Sequence, residues 1–216
     1  MLEVRNLSMA NREVLLYEAN MTLEKGTVYG LSARNGSGKT TLLRTISGLR
    51  KESQGSILIR EGNKALSLLK NKKRLFYYET VEWLDPNLSG LDYLNFIQAT
   101  WSNNPRKPIG EIVRFWDMVD YIKVPIKKYS LGMKQKVLLA MYEISAADYW
   151  LLDEPTIGLD TKSLERFKEF IVEAKKNGTC ILFSSHHNDS VYSVCDYIYE
   201  LENKSLYLIN KKKLED

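Results

Sequence analysis

Apolar and polar residues alternate from Leu2 to Leu7 and again from Asn20 to Glu24, and a strand-like stretch, Ser56 to Ile59, follows Gly55. Side chains on a strand point to opposite faces in turn, so these stretches predict short strands. Thr27 to Ser32 is a further apolar run. It leads into a glycine-rich turn and then a helical pattern, Thr41-Leu42-Leu43-Arg44-Thr45-Ile46, closed by Gly48. From about Leu91 to Glu143 the apolar residues recur at helical spacing, as in Ile112, Val113, Trp116 and Val119. Two short apolar runs, Tyr149 to Leu152 and Cys180 to Phe183, end on polar residues, as buried parallel strands do. Between them Leu164, Phe167, Ile171 and Ala174 share one face of a predicted helix that ends at Gly178. The stretch Tyr197 to Leu208 predicts a hairpin around Asn203-Lys204.

A length of 216 residues predicts one domain, or two closely packed subdomains, with a core that needs no covalent staples. Apolar residues make up 44% and charged residues 27%, which argues against both disorder and a disulfide scaffold. The net charge of +4 is too mild to imply nucleic acid as a partner. The lysine clusters Lys70 to Arg74, Lys127-Lys128 and Lys211 to Lys213 read as solvated surface. Two cysteines, Cys180 and Cys195, fit a reducing compartment. No apolar run reaches the ~18 residues of a membrane span, and the N-terminus lacks a secretory pattern. The expectation is therefore a cytoplasmic chain that works at a membrane only through a partner. There is no internal repeat and no low-complexity linker.

The run Ala33-Arg34-Asn35-Gly36-Ser37-Gly38-Lys39-Thr40 sits between a predicted strand and a predicted helix. It follows the Walker A pattern G-x-x-x-x-G-K-[ST], with Ala33 in place of the first glycine. Successive backbone N–H groups must point inward to hold a phosphate chain, so small residues are needed there. The helix N-terminus adds positive potential, Lys39 supplies a cation for the β- and γ-phosphates, and the Thr40 hydroxyl suits Mg²⁺. Asn35, Gly36, Ser37, Gly38, Lys39, Thr40 and Thr41 are the expected nucleotide-binding residues. Ala33 adds a methyl group but removes no donor.

Asp153-Glu154 follows the apolar run Tyr149 to Leu152, which is the Walker B arrangement. Asp153 would hold Mg²⁺ through water, and Glu154 would act as general base toward the attacking water. An acidic turn stiffened by Pro155 is the plainer reading of these two residues alone. The P-loop beside them favours the catalytic one.

Tyr129-Ser130-Leu131-Gly132-Met133-Lys134-Gln135 precedes that pair by about one helix. With this run the chain resembles the nucleotide-binding subunits of ATP-binding cassette (ABC) transporters, whose signature is Leu-Ser-Gly-Gly-Gln, and the Tyr-Ser-x-Gly-Met variant resembles exporter-type members. The likeness extends over essentially the whole chain. It takes in Ile46-Ser47-Gly48-Leu49, Asp153-Glu154-Pro155-Thr156 with Gly158-Leu159-Asp160, and Ser184-Ser185-His186.

The resemblance implies an α/β fold: a P-loop NTPase core with a mostly parallel sheet, an N-terminal antiparallel β subdomain and an inserted α-helical subdomain. Residues 1–216 would form one nucleotide-binding domain, with the core at 1–75 and 146–216 and the helical subdomain at about 76–145. Ser130 can cap a helix whose N-terminus, with Gly132, offers donors to an anion. In the family that anion is the γ-phosphate of ATP bound to a second subunit, so two chains close head-to-tail over two ATP molecules. His186, with Cys195-Asp196 nine and ten residues later, corresponds to the family's switch histidine, and His187 lies beside it. Asp160 falls in the loop that bridges the two sites.

The likeness also implies ATP and Mg²⁺ as ligands, hydrolysis as the reaction, and a second nucleotide-binding subunit, identical or different. A multi-span permease would be the membrane partner, gripped by the helical subdomain. Trp83, Leu84, Tyr93 and Phe96 are candidates for that groove. The cargo of such an exporter would be peptide-, drug- or lipid-like. The competing readings are a soluble ABC ATPase acting on ribosomes or DNA, and an import ATPase.

Two departures stand out. No aromatic residue is available near Ala10 to stack on adenine, leaving Met9 as a softer contact and Asn11 beside it. The family glutamine that joins core to helical subdomain falls on Thr80 in the segment Leu75 to Glu82, with Glu79 and Glu82 as alternatives. Thr80 is thus the expected third metal-facing residue, after Thr40 and Asp153.

Overall fold

The computed structural model describes residues 1–101, 106–186 and 190–210. The chain runs β1 (Leu2–Ala10), β2 (Val14–Leu23), β3 (Val28–Ser32), α1 (Lys39–Ile46), β4 (Gln54–Glu61), β5 (Lys64–Ser67) and β6 (Leu75–Tyr77). It continues with α2 (Gly90–Thr100), α3 (Ile109–Phe115), α4 (Leu131–Ser145), β7 (Tyr149–Leu152), α5 (Thr161–Lys176), β8 (Cys180–Ser185), β9 (Tyr197–Glu202) and β10 (Ser205–Asn210).

Two sheets form. One is antiparallel in the order β2-β1-β4-β5. The other has the order β10-β9-β3-β8-β7-β6, parallel throughout except for the β9–β10 hairpin. This is the expected P-loop core with an N-terminal antiparallel sheet and an inserted helical region. β3, β7 and β8 are buried along their whole length, because the parallel sheet is covered on both faces. Alternation then sorts their side chains. Trp150, Leu152, Ile181 and Phe183 enter the core shared with the helices. Tyr149, Leu151, Cys180 and Leu182 enter the core shared with the antiparallel sheet and α1. In the first core the Trp150 ring stacks on Phe170 of α5 at 5.1 Å, and Trp116 meets Phe170 edge-on at 5.5 Å.

α4 is buried on nearly every side, which suits a helix inserted between other helices and a sheet. β6 straddles residues 75 and 76 and pairs with β7, so the core sheet extends through Tyr77. The hairpin expected at Asn203-Lys204 is present, and both residues take positive φ, 49° and 63°, as a tight turn between twisted strands requires. The helical periodicity around residue 112 reads too far. α3 stops at Phe115, Asp117 turns left-handed at φ 52°, and Val119 lies exposed. Lys211 to Lys213 lie outside the described residues. Among the described residues, no helix is long and apolar enough to cross a membrane.

Candidate nucleotide-binding site

The site forms where β3, β7 and β8 end together. Ala33 follows β3 directly, and the loop returns to the first residue of α1 at Lys39. Gly36 and Gly38 have φ of +77° and +106°, a region in which any side chain is strained. Gly38 takes the cap position of α1, with no side chain closing the helix and no acidic residue in its first turn. The first N–H groups of α1 are thereby left for an external anion. Leu15 of β2 supports this loop, lying 3.6 Å from where a Cβ on Gly38 would sit. The Ser37 hydroxyl is buried and makes no hydrogen bond among the described residues.

Lys39 is only 6% exposed. Its ammonium donates to the Ala33 carbonyl at 3.0 Å and stands 4.0 Å from Glu154 Oε1. His186, just beyond β8, places Nε2 3.9 Å from Glu154 Oε2. The P-loop cation and the expected switch histidine therefore converge on the expected base. His187 lies outside the described residues. Asp153 and Glu154 leave β7 in a sharp turn, with Glu154 at φ +46°. Ser184 of β8 bonds both: its hydroxyl donates to Asp153 Oδ1 at 2.5 Å and accepts from the Glu154 N–H at 2.9 Å.

Thr40, Asp153 and Glu154 line one cleft of about 430 Å³ together with Glu79, Thr80, Glu82, Leu131, Gln135 and Ile157. Ser130 and Gly132 are not part of its lining. Ser130 caps α4, accepting from the Met133 N–H at 3.2 Å. Gly132 is needed for space: a Cβ there would come within 2.5 Å of the Gly158 carbonyl. Asp160 accepts from the Ser163 N–H at 2.7 Å and caps α5.

A model of the ABC transporter family matches residues 16–157. The chain belongs to the ABC transporter ATP-binding family. The uncharacterized ABC transporter ATP-binding protein YybJ of Bacillus subtilis (strain 168) is 33% identical over 216 residues, covering 95% of this chain and 94% of its own. The cytochrome c biogenesis ATP-binding export protein CcmA of Reclinomonas americana is 30% identical, covering 96% and 97%. A solved ATP-binding subunit of an ABC transporter superposes with a TM-score of 0.86 at 23% identity, covering 100% and 92%, which is a likeness of fold. This chain is thus an ABC-type ATPase and the ATP-binding subunit of a transporter.

Set against the ABC pattern, the departures take physical form. Met9 is 2% exposed and packs in the core, so it is not available for stacking on a base, and that expectation is corrected. β1 is irregular there, with register shifts around Leu7 and Met9 that turn consecutive residues inward. The hairpin tip is instead braced by Arg50, whose guanidinium donates to the Ala10 carbonyl at 2.6 Å and to Asn11 Oδ1 at 3.2 Å.

The three candidates for the ABC glutamine position differ sharply. Glu79 accepts two hydrogen bonds from the Arg44 guanidinium and one from the Tyr77 hydroxyl at 3.0 Å. The Arg44 charge holds its carboxyl below the usual range, while burial pushes the Tyr77 hydroxyl far up. Thr80 Oγ1 accepts from the Glu82 N–H at 3.3 Å and starts a single helical turn, Val81–Trp83. Glu82 is exposed. In the expected docking groove, Trp83 and Phe96 are exposed at 45% and 62%, but Leu84 is buried and belongs to the core. Tyr93 is half-buried, and its hydroxyl accepts from the Asp85 N–H at 2.6 Å.

Spacing along the chain carries no local geometry for Ser184 or Gly158. It does not place Gln135 either, whose side chain donates to the Pro155 carbonyl at 2.8 Å and ties α4 to the turn after Glu154. The serine pair before His186 was a visible signal for Ser184, but its partner was not.

Proposed function

We propose that this chain binds ATP with Mg²⁺, closes head-to-tail against a second nucleotide-binding subunit, and hydrolyses ATP to drive an exporter. The observation that carries the reading is the convergence of Lys39 and His186 on Glu154, at 4.0 and 3.9 Å, beside a cleft lined by Thr40 and Asp153. The donors fit Mg²⁺, a hard cation that takes one or two protein oxygens along with phosphate oxygens. Thr40 and Asp153 would hold it, and Thr80 is the further oxygen on the same cleft. Among the described residues no group of three or more His, Cys, Asp or Glu side chains forms a metal cage. Bound there, Mg²⁺ would neutralise phosphate charge.

Asn35 to Thr41 bind the phosphates through backbone N–H groups, and Lys39 balances their charge. Glu154 takes a proton from water as the water oxygen bonds to the γ-phosphorus. The bond from that phosphorus to the bridging oxygen breaks, and ADP leaves with that oxygen. His186 orients the water and the γ-phosphate. Ser130 and Gly132 serve the ATP held by the opposite subunit, and Asp160 lies in the loop between the two sites.

The subunit works at the cytoplasmic face of a membrane through a multi-span permease, gripped at the exposed Trp83 and Phe96. The export direction is supported by the name of the relative CcmA and by the Tyr-Ser-x-Gly-Met form of the signature. The deciding experiment is Glu154→Gln. It should keep ATP affinity, lose turnover by about 10²-fold or more, and accumulate as an ATP-bound dimer. Steady-state hydrolysis retained in that variant would refute the assignment.

A further inference from the structure

Ser184 has no exposed surface, and both hydrogen bonds of its hydroxyl reach the neighbouring strand's end. An N–H can only donate and an ionised carboxylate can only accept, so the directions are fixed: Glu154 N–H to Oγ, and Oγ–H to Asp153 Oδ1. The reason lies in the turn. The β7–β8 ladder ends at Leu152 with Phe183. Two residues on, Glu154 adopts φ +46°, a left-handed conformation that is strained for a non-glycine residue. The backbone leaves the ladder there, and the Ser184 hydroxyl receives the N–H. One hydroxyl thereby sets both the rotation of the Asp153 carboxylate and the backbone from which Glu154 departs toward Lys39 and His186.

We propose that Ser184 is a positioning residue for ATP hydrolysis, joining the metal-facing carboxylate and the general base into one preset unit. The proposal rests on the roles given above to Asp153 and Glu154. Ser184 is fully buried and acts through Asp153 and Glu154. Removing its hydroxyl leaves the Glu154 N–H without its acceptor and frees Asp153 to rotate. A displacement of about 1 Å at a reacting group costs on the order of 10²-fold in rate.

The test compares wild type, Ser184→Ala, Ser184→Thr and Ser184→Cys, with Glu154→Gln as the control for the base. Steady-state ATPase rates are read with thermal melting and with calorimetric ATP binding in EDTA and in Mg²⁺. In Ser184→Ala, kcat should fall by about 10- to 100-fold, while KM for ATP stays within about twofold. ATP affinity in EDTA should hold, and the gain in affinity on adding Mg²⁺ should shrink. Ser184→Thr keeps the hydroxyl and should recover most of the rate and most of the Mg²⁺ gain. Ser184→Cys, similar in size but a weak hydrogen-bonding group, carries the same comparison if the alanine variant does not fold. A lower melting temperature with kcat and Mg²⁺ gain unchanged would overturn the proposal, as would a folded Ser184→Thr no better than Ser184→Ala. A wild type without ATPase activity, or a fully active Glu154→Gln, would instead refute the reading of the site. The Mg²⁺-dependent binding of Ser184→Ala would still report on Ser184.

Discussion

Arg44 on α1 and Glu79 at the edge of the nucleotide cleft form an ion pair through two parallel hydrogen bonds, and Tyr77 adds a third bond to the same carboxylate. The helix that begins at the P-loop is thus tied directly to the segment leading into the helical subdomain.

This pair makes stability depend on pH. Glu79 has a folded pKa below its unfolded one, so its contribution is fully present above the ordinary glutamate value of about 4.3. It is lost as pH falls through the lowered folded value. Glu79→Gln should therefore reduce the melting temperature at pH 7, and the gap to wild type should narrow below about pH 4. Thermal melts of both proteins from pH 3 to 7 check it, and a gap independent of pH counts against the pair.

The same contacts bear on Mg²⁺. Glu79 is already held by Arg44 and Tyr77, whereas Thr80 carries a hydroxyl on the cleft. Thr80→Ala should raise the Mg²⁺ concentration for half-maximal ATPase activity, and Glu79→Ala should leave it near wild type. The reverse pattern in a Mg²⁺ titration would assign the position to Glu79.

Lys39 and His186 should separate binding from turnover. Lys39→Ala removes the buried cation of the P-loop, so ATP affinity and kcat should both fall. His186→Ala should spare affinity and mainly lower kcat. Nucleotide titration with single-turnover rates distinguishes them, and a His187→Ala variant more impaired than His186→Ala would transfer the role to His187.

Head-to-tail closure is checked by crosslinking. Gly132 is a poor site for a cysteine, because its Cβ would meet the Gly158 carbonyl at 2.5 Å. Arg34 and Leu131 are exposed on the P-loop and at the start of α4, and the native Cys180 and Cys195 are buried. Arg34→Cys with Leu131→Cys, in a Glu154→Gln background, should give an ATP–Mg²⁺-dependent disulfide dimer on a non-reducing gel. A band of equal strength without nucleotide would refute ATP-driven closure.

Ala146 ends α4 at φ 48°, where glycine is the usual residue. Ala146→Gly relieves the left-handed strain at some cost in unfolded-chain entropy, for a net gain of about 0.5–1 kcal/mol. Denaturant unfolding should show a higher midpoint with ATPase activity unchanged.

What the sequence determined by itself was local. Alternation marked strands near β1 and β2, the strand-like run after Gly55 marked β4, polar-ended apolar runs marked β7 and β8, and Asn203-Lys204 marked the hairpin. The phosphate loop and Asp153-Glu154 were legible because their chemistry needs particular residues at fixed spacing along one segment. The tertiary structure decided everything that depends on a partner far along the chain. Ser184 meets Asp153 from 31 residues away, and Arg44 meets Glu79 from 35. It also decided which apolar residues faced inward. Met9 was drawn into the core by register shifts in β1, Leu84 packs in the core after the turn Val81–Trp83, and Val119 was left outside because α3 stops at Phe115. Periodicity says that a face will be buried, but only packing says against what, and a serine hydroxyl finds its carboxylate only when two strands end side by side.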